Sequence, residues 1–220
     1  MTENTTPQPK SEHAQPLQNQ PSLTELGKKY GTDKYEHGFL PFYEQFFEPV
    51  RDDVRRVLEI GIADGASIRM WLDYFPNARV FGMEAPGNVP MRYGDKNRWP
   101  RDKRFIALMG DQAELSHLRK VLPWGPFDIV VDDGGHTMKQ QQTSLEALLV
   151  HTTRFYVVED LHTSFMDTIY ISDGRSYATG ADRWPTTYDL LKDAPGTHIF
   201  DRDGDHKHMT AVIEKGGADG

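Results

Sequence analysis

Cysteine is absent from the 220 residues, so a disulfide, a thiolate zinc site and a cysteine nucleophile are all excluded, and any metal must be held by oxygen or imidazole. Positive charge is scarce. Lys and Arg number 25 against 33 Asp and Glu, and the net charge of −8 repels a phosphate backbone, which argues against nucleic acid as a partner. No run approaches the roughly 20 apolar residues that cross a bilayer, so no membrane partner is expected. The opening MTENTTPQPK lacks the apolar core of a secretory signal, and the expected location is cytoplasmic. What is present, 37% hydrophobic and 26% charged residues, suits one sizeable α/β core with a polar tail.

Residues 1–21 are rich in Pro, Gln, Asn and Thr with little to bury, and are expected to be a disordered tail. Residues 22–54 read as a helical cap segment. SLTELGKKYGTDK has a capping box in Ser22 and Glu25 and a stop at Gly31, and LPFYEQFFEPV is a second short helix dense in aromatics. Residues 55–220 form the main domain. Apolar runs RRVLEIGI (55–62), RVFGMEA (79–85), RFIALMGD (104–111), PFDIVVDD (126–133) and RFYVVEDL (154–161) alternate with helical periodicity, the pattern of βα units on a parallel sheet. The helices expected between them carry Ile68, Trp71, Leu72 and Phe75, then Leu115, Leu118 and Leu122, then Leu145, Leu148 and Leu149. WPTTYDLLKDA (184–194) is a further helix. The last two β-like runs have no room for a crossover between them, so they form a hairpin and the final strand runs antiparallel. That order predicts a doubly wound, Rossmann-like sheet of the methyltransferase type, mostly parallel with a C-terminal antiparallel strand.

The turn Glu59-Ile-Gly61-Ile-Ala63-Asp64-Gly65 joins a strand to a helix, where glycine lets a ligand approach bare backbone. Its spacing is not that of a diphosphate-binding turn. Glu84 ends the second strand, where an acid can accept from both ribose hydroxyls, and Asp111-Gln112 ends the third, within reach of an adenine amino group. Asp111 has the alternative role of capping the helix that follows. Adenosine with a compact extension lacking phosphate fits these ends, and S-adenosylmethionine is such a molecule.

Asp132-Asp133-Gly134-Gly135-His136 and Glu159-Asp160 bring four carboxylates and an imidazole to the ends of two neighbouring strands, about 4.8 Å apart. Acids held that close raise one another's pKa unless a cation lies between them, and Mg²⁺ or another hard divalent ion suits such oxygen ligands. Glu159 and Asp160 reach the same ion only if the strand has ended before them. His136 is placed to take a proton from a hydroxyl, and His162 is a weaker candidate for orienting substrate. The other histidines, including those of HKH near the end, read as solvated, and DRDGD lacks the twelfth-position glutamate of a calcium loop.

YGTDK (30–34), LEIGIADGASIRMW (58–71), FGMEA (81–85), GDQ (110–112), VDDGGH (131–136) and VVEDLHTSF (157–165) together resemble the metal-dependent sugar O-methyltransferases of macrolide biosynthesis, the macrocin and mycinamicin type. The resemblance implies S-adenosylmethionine contacts from Thr32, Glu59, Gly61, Gly65, Ser67, Glu84, Asp111, Gln112 and Asp133. It implies Mg²⁺ held by Asp133, Glu159 and Asp160, with His136 as the proton acceptor. The chain departs from that family at Glu84, usually Asp, and at Ala63, usually glycine.

The expected activity is transfer of a methyl group from S-adenosylmethionine, with Mg²⁺, to a hydroxyl of a small molecule, a sugar or glycosylated natural product of secondary metabolism such as antibiotic biosynthesis. Aromatics of FYEQFF, with Trp184 and Tyr188, are candidates for the acceptor site. A homo-oligomer is left open. Rival readings are a catechol, phenol or carboxylic acid acceptor, a nicotinamide-dependent oxidoreductase, and a ligand-binding module without catalysis.

Overall fold

The structure, a computed structural model, describes residues 20–86, 98–170, 176–182 and 185–216. Most of the expected tail, and Trp184, lie outside the described residues. The five apolar runs become β1 (Arg56–Ile60), β2 (Arg79–Glu84), β3 (Phe105–Met109), β4 (Phe127–Asp132) and β5 (Thr152–Val158), paired in parallel in the order β3-β2-β1-β4-β5. A two-stranded ribbon of β6 (Thr168–Tyr170) and β7 (Ser176–Ala178) stands apart from this sheet, and the sequence reading did not anticipate it. The C-terminal hairpin of β8 (Thr197–Asp201) and β9 (Met209–Glu214) extends the sheet beyond β5, with β9 antiparallel to β5 as expected.

Helices α1 (Leu23–Tyr30), α2 (Asp33–Glu36), α3 (Leu40–Phe47) and α4 (Ala66–Tyr74) pack on one side of the sheet, and α5 (Leu115–Leu118), α6 (Met138–Leu148) and α7 (Thr187–Leu191) on the other. The α1 boundaries follow from local chemistry: Ser22 and Glu25 cap each other's backbone N–H, and Gly31 closes the helix in the left-handed conformation. The stripe on α4 is fully used, with Ile68, Trp71, Leu72 and Phe75 all buried. The FYEQFF aromatics also go inward. Tyr43 and Phe47 are core residues, Phe47 packs against Trp71, Phe75 and Phe155, and Phe42 and Phe46 lie partly buried against the same core, so this helix stabilises the fold. Two expected helices are shorter than their periodicity suggested. α5 covers one turn, because Leu118 is buried but Leu115 is exposed, and α7 begins only at Thr187, where Thr186 and Asp189 form a capping box.

Successive residues on a strand face opposite sides, and this parity decides what each strand end can meet. Val57, Ile129, Val131, Phe155 and Val157 face α1, α3 and α4, whereas Leu58, Val130, Tyr156 and Val158 face the opposite layer. Glu59, Asp133 and Glu159 continue the first set. Asp132 continues the second.

Candidate active site

The carboxyl ends of the parallel strands open into a cleft of about 360 Å³, within the range of small-molecule sites. Its walls bring together Thr32, Gly61, Ser67, Glu84, Asp111, Gln112, Asp133, His136 and Asp160. Glu59, Gly65 and Glu159 are not among its lining residues. Gly65 instead begins α4 in the left-handed conformation, and Glu59 lies buried below, accepting from Ser67 Oγ at 2.8 Å.

Gly61 has φ 89°, and a Cβ there would collide with the carbonyl of Asp133, so bare backbone is what lets the β1 turn lie against the end of β4. The turn is clasped from the side by Glu84, whose Oε2 accepts from the Ile62 and Ala63 N–H groups at 2.9 Å each. Its Oε1 accepts from Ala85 N and keeps lone-pair capacity toward the cleft. Asp111 Oδ1 accepts from Ala113 N in a local turn and does not cap the helix, which begins at Leu115 after Glu114, and the residue borders the cleft. Gln112 is a brace: Nε2 donates to Asp132 at 2.9 Å and Oε1 accepts from Gly135 N at 2.8 Å, fixing the glycine turn beneath the opening.

Parity separates the two adjacent aspartates. Asp132 is buried and bonded by Ser144, Gln112 and, at 3.4 Å, Tyr156, an internal structural acid whose carboxyl is raised by burial against the lowering effect of those hydrogen bonds. Asp133 points the other way, into a group the sequence reading had only half seen. Lys34 of α2 is fully buried, its ammonium bonded to Asp133 and 3.2 Å from both Glu59 Oε1 and Glu159 Oε1. Burial alone would depress Lys34, but Asp133, Glu159, Glu59 and Asp33 together hold it well above an ordinary lysine. Burial raises Glu59 and Glu159 in turn, and repulsion from Asp133 raises Glu159 further.

β5 has ended at Val158, so Glu159 and Asp160 escape strict alternation. Glu159 turns to Lys34. Asp160, at φ 54°, swings to His136, itself at φ 59°, with Nε2 to Oδ2 at 3.1 Å; two non-glycine residues in the left-handed region mark a locally strained site. Burial favours protonation of Asp160, but the imidazoles of His136, His162 and His37 outweigh it and hold the carboxyl below its usual range. His162 Nδ1 is 3.6 Å from Asp160 Oδ1. His208, expected to be solvated, has its ring 5.0 Å from that of His37, and His206 stacks on Phe165 at 4.4 Å, so the terminal HKH turn folds toward this end of the sheet.

Among the described residues, ligand atoms of Asp133, His136 and Asp160 lie within 4.8 Å of one another, close enough to share one cation. Glu159 lies outside that group, but its Oε1 is buried, has no hydrogen bond and faces the ammonium that also holds Asp133. Oxygen and imidazole donors at this separation fit a hard divalent ion.

A mostly parallel sheet closed by an antiparallel hairpin, with a cleft at its strand ends and acids beside a histidine, is the doubly wound architecture of the methyltransferase fold. The chain is homologous to sugar O-methyltransferases of macrolide and tetracenomycin pathways. It is 38% identical over 155 residues to the 8-demethyl-8-(2-methoxy-alpha-L-rhamnosyl)-tetracenomycin-C 3'-O-methyltransferase of Streptomyces olivaceus, a match covering 65% of this chain and 37% of that protein. It is 34% identical over 157 residues to the mycinamicin VI 2''-O-methyltransferase of Micromonospora griseorubida, covering 66% and 37%. The matched region thus spans little more than a third of those relatives. Among solved structures, the MycE methyltransferase of the mycinamycin pathway, in complex with Mg, SAH and mycinamycin VI, superposes with a TM-score of 0.68 at 28% identity over 89% of this chain and 55% of that one. A putative caffeoyl-CoA O-methyltransferase from Staphylococcus aureus shares the fold at a TM-score of 0.57 and 16% identity, covering 89% and 93%. No family model matches the chain. No helix among the described residues is long and apolar enough to cross a membrane.

Proposed function

We propose that the chain is an S-adenosylmethionine- and Mg²⁺-dependent O-methyltransferase acting on a sugar hydroxyl of a glycosylated small molecule. The observation that carries this reading is the convergence of Asp133, His136 and Asp160 at the edge of the cleft formed by the glycine turn, Glu84 and Asp111. The relatives' sugar acceptors, and the Mg and SAH bound by MycE, support the same chemistry.

Thr32, Gly61, Ser67, Glu84, Asp111, Gln112 and Asp133 would border the donor, with Glu59 and Gly65 supporting the turn from behind. Asp133 and Asp160, with Glu159, would hold the cation. When bound, the donor supplies a sulfonium methyl and the cation lowers the pKa of an acceptor hydroxyl. The chain's own part is positioning and proton transfer. His136 faces Asp160 through Nε2, so Nδ1 is the nitrogen left to take the hydroxyl proton as the oxygen–methyl bond forms and the methyl–sulfur bond breaks. Asp160 fixes the ring and stabilises the imidazolium that results, and the strained backbone at both residues keeps that pair in register.

The test is a methylation assay with S-adenosylmethionine and Mg²⁺ across deoxyhexosides, catechols and hydroxy acids. Methyl glycoside ethers are expected, and His136→Ala should lower kcat by about 10²–10⁴-fold while donor binding measured by calorimetry persists. Turnover confined to catechols or hydroxy acids would overturn the sugar assignment. Absence of donor binding would overturn the reading as a whole.

A further inference from the structure

Lys34 sits where a polar residue of the short helix α2 would ordinarily face water. Three strands each aim one acid at its ammonium: Glu59 from β1, Asp133 from β4 and Glu159 from the end of β5. The Glu59 and Glu159 oxygens nearest to it are buried without a hydrogen bond, so attraction to Lys34 is what offsets their desolvation. Asp133 belongs to two groups at once, bonded to Lys34 on one side and within 4.8 Å of the His136 and Asp160 ligand atoms on the other. A divalent ion arriving at Asp133 therefore meets a carboxylate already compensated and a fixed positive charge next to it.

We propose that Lys34 is a positioning residue, a resident counter-ion that keeps Glu59, Asp133 and Glu159 assembled before the divalent cation binds and that lowers the affinity of the site for that cation. The proposal rests on the reading that Asp133 and Asp160 bind a divalent ion. Removing the ammonium leaves three buried carboxyls with no compensating charge, a deficit that a bound divalent cation partly makes good and the cation-free chain cannot. Affinity for the ion must then rise. A residue needed only for packing would lower cation affinity when removed, or leave it unchanged, so the sign of the change separates the two roles.

The experiment compares the whole chain with Lys34→Met by thermal melting in EDTA and in MgCl₂, and by calorimetric titration with MgCl₂ alone, without donor or acceptor. In EDTA the variant should melt lower by about 5–15 °C, the scale for breaking a buried ion pair. It should bind Mg²⁺ about tenfold more tightly, the scale of removing one nearby charge in a partly screened site. It should also gain more degrees from Mg²⁺ than the parent does. Lys34→Met combined with Glu59→Gln removes one acid along with the cation and should recover part of the EDTA melting temperature, which keeps the test usable if the single variant is too unstable to titrate. Equal or weaker Mg²⁺ affinity in Lys34→Met, or no recovery of the EDTA melting temperature in the double variant, with the parent binding Mg²⁺ normally, overturns the inference. A parent chain that binds no Mg²⁺ instead overturns the cation reading beneath it.

Discussion

Two positions in the β1 turn show how little of a residue's role is set by its size. Gly61 and Ala63 both have positive φ, 89° and 47°, yet their surroundings differ. At Gly61 any Cβ strikes the Asp133 carbonyl, so Gly61→Ala should lose several kcal/mol of stability, in the range of overpacking and backbone strain together. The Ala63 side chain is exposed, and its methyl meets only the intrinsic cost of the left-handed conformation, about 1–2 kcal/mol, part of which glycine returns as entropy of the unfolded chain. Ala63→Gly is therefore expected to raise the melting temperature by about 1–3 °C with the Glu84 clasp intact. A drop in melting temperature for Ala63→Gly, or tolerance of Gly61→Ala, would show that the turn has a different backbone from the one described.

Between elements, the dock of α1 on α4 has a charged fastening with a readable pH dependence. Lys29 and Tyr30 at the end of α1 both bond Asp73 of α4. Partial burial works against the Asp73 charge, but the hydrogen bonds from Tyr30 and Lys29 outweigh it and hold the carboxyl below its usual range. A carboxyl lowered in the folded state stabilises it above the unfolded pKa, and that contribution is lost as pH falls through the folded value. Because the pair is largely exposed, Asp73→Asn should lower the melting temperature by only about 1–3 °C at neutral pH. The gap between parent and variant should close on acidification below the ordinary aspartate range; a gap independent of pH would show that packing, not charge, is what the substitution removed. The elements joined here are also those most readable from sequence. The Ser22–Glu25 box, the α4 stripe, the five apolar runs and the terminal hairpin each leave a local signature, and each is present within a few residues of its expected bounds. β6 and β7 have three residues each, too few for alternation to register, and the Leu115 stripe predicts a helix that tertiary packing uses for one turn only. The role of Lys34, which ends the YGTDK motif, was not legible for another reason. Its partners are 25, 99 and 125 positions away, so no periodicity marks it. The usable clue was strand parity, which sends Glu59, Asp133 and Glu159 to the face covered by the N-terminal helices while sending Asp132 away from it.

At the scale of the whole molecule, the features argued separately above meet at one edge of the sheet: the glycine turn, the Glu84 clasp, the Gln112 brace and the acid–imidazole group all lie at strand ends whose positions the two hydrophobic layers fix. A ligand touching that edge contacts loops after β1, β2, β3, β4 and β5 together, so its binding free energy should appear as stability of the entire domain and not of one segment. At a concentration of about one hundred times its dissociation constant, a ligand specific for the folded state adds about 2.7 kcal/mol, which for a chain of this size is a rise of roughly 5–10 °C in melting temperature. S-adenosylmethionine or its demethylated product is expected to give that shift in a single cooperative transition, and NADH or NADPH none, because the β1 turn lacks the glycine spacing that presents amides to a diphosphate. A larger shift with a nicotinamide cofactor would return the chain to the oxidoreductase reading. A donor-induced shift that splits the transition in two would mean that the strand-end loops unfold independently of the sheet that carries them.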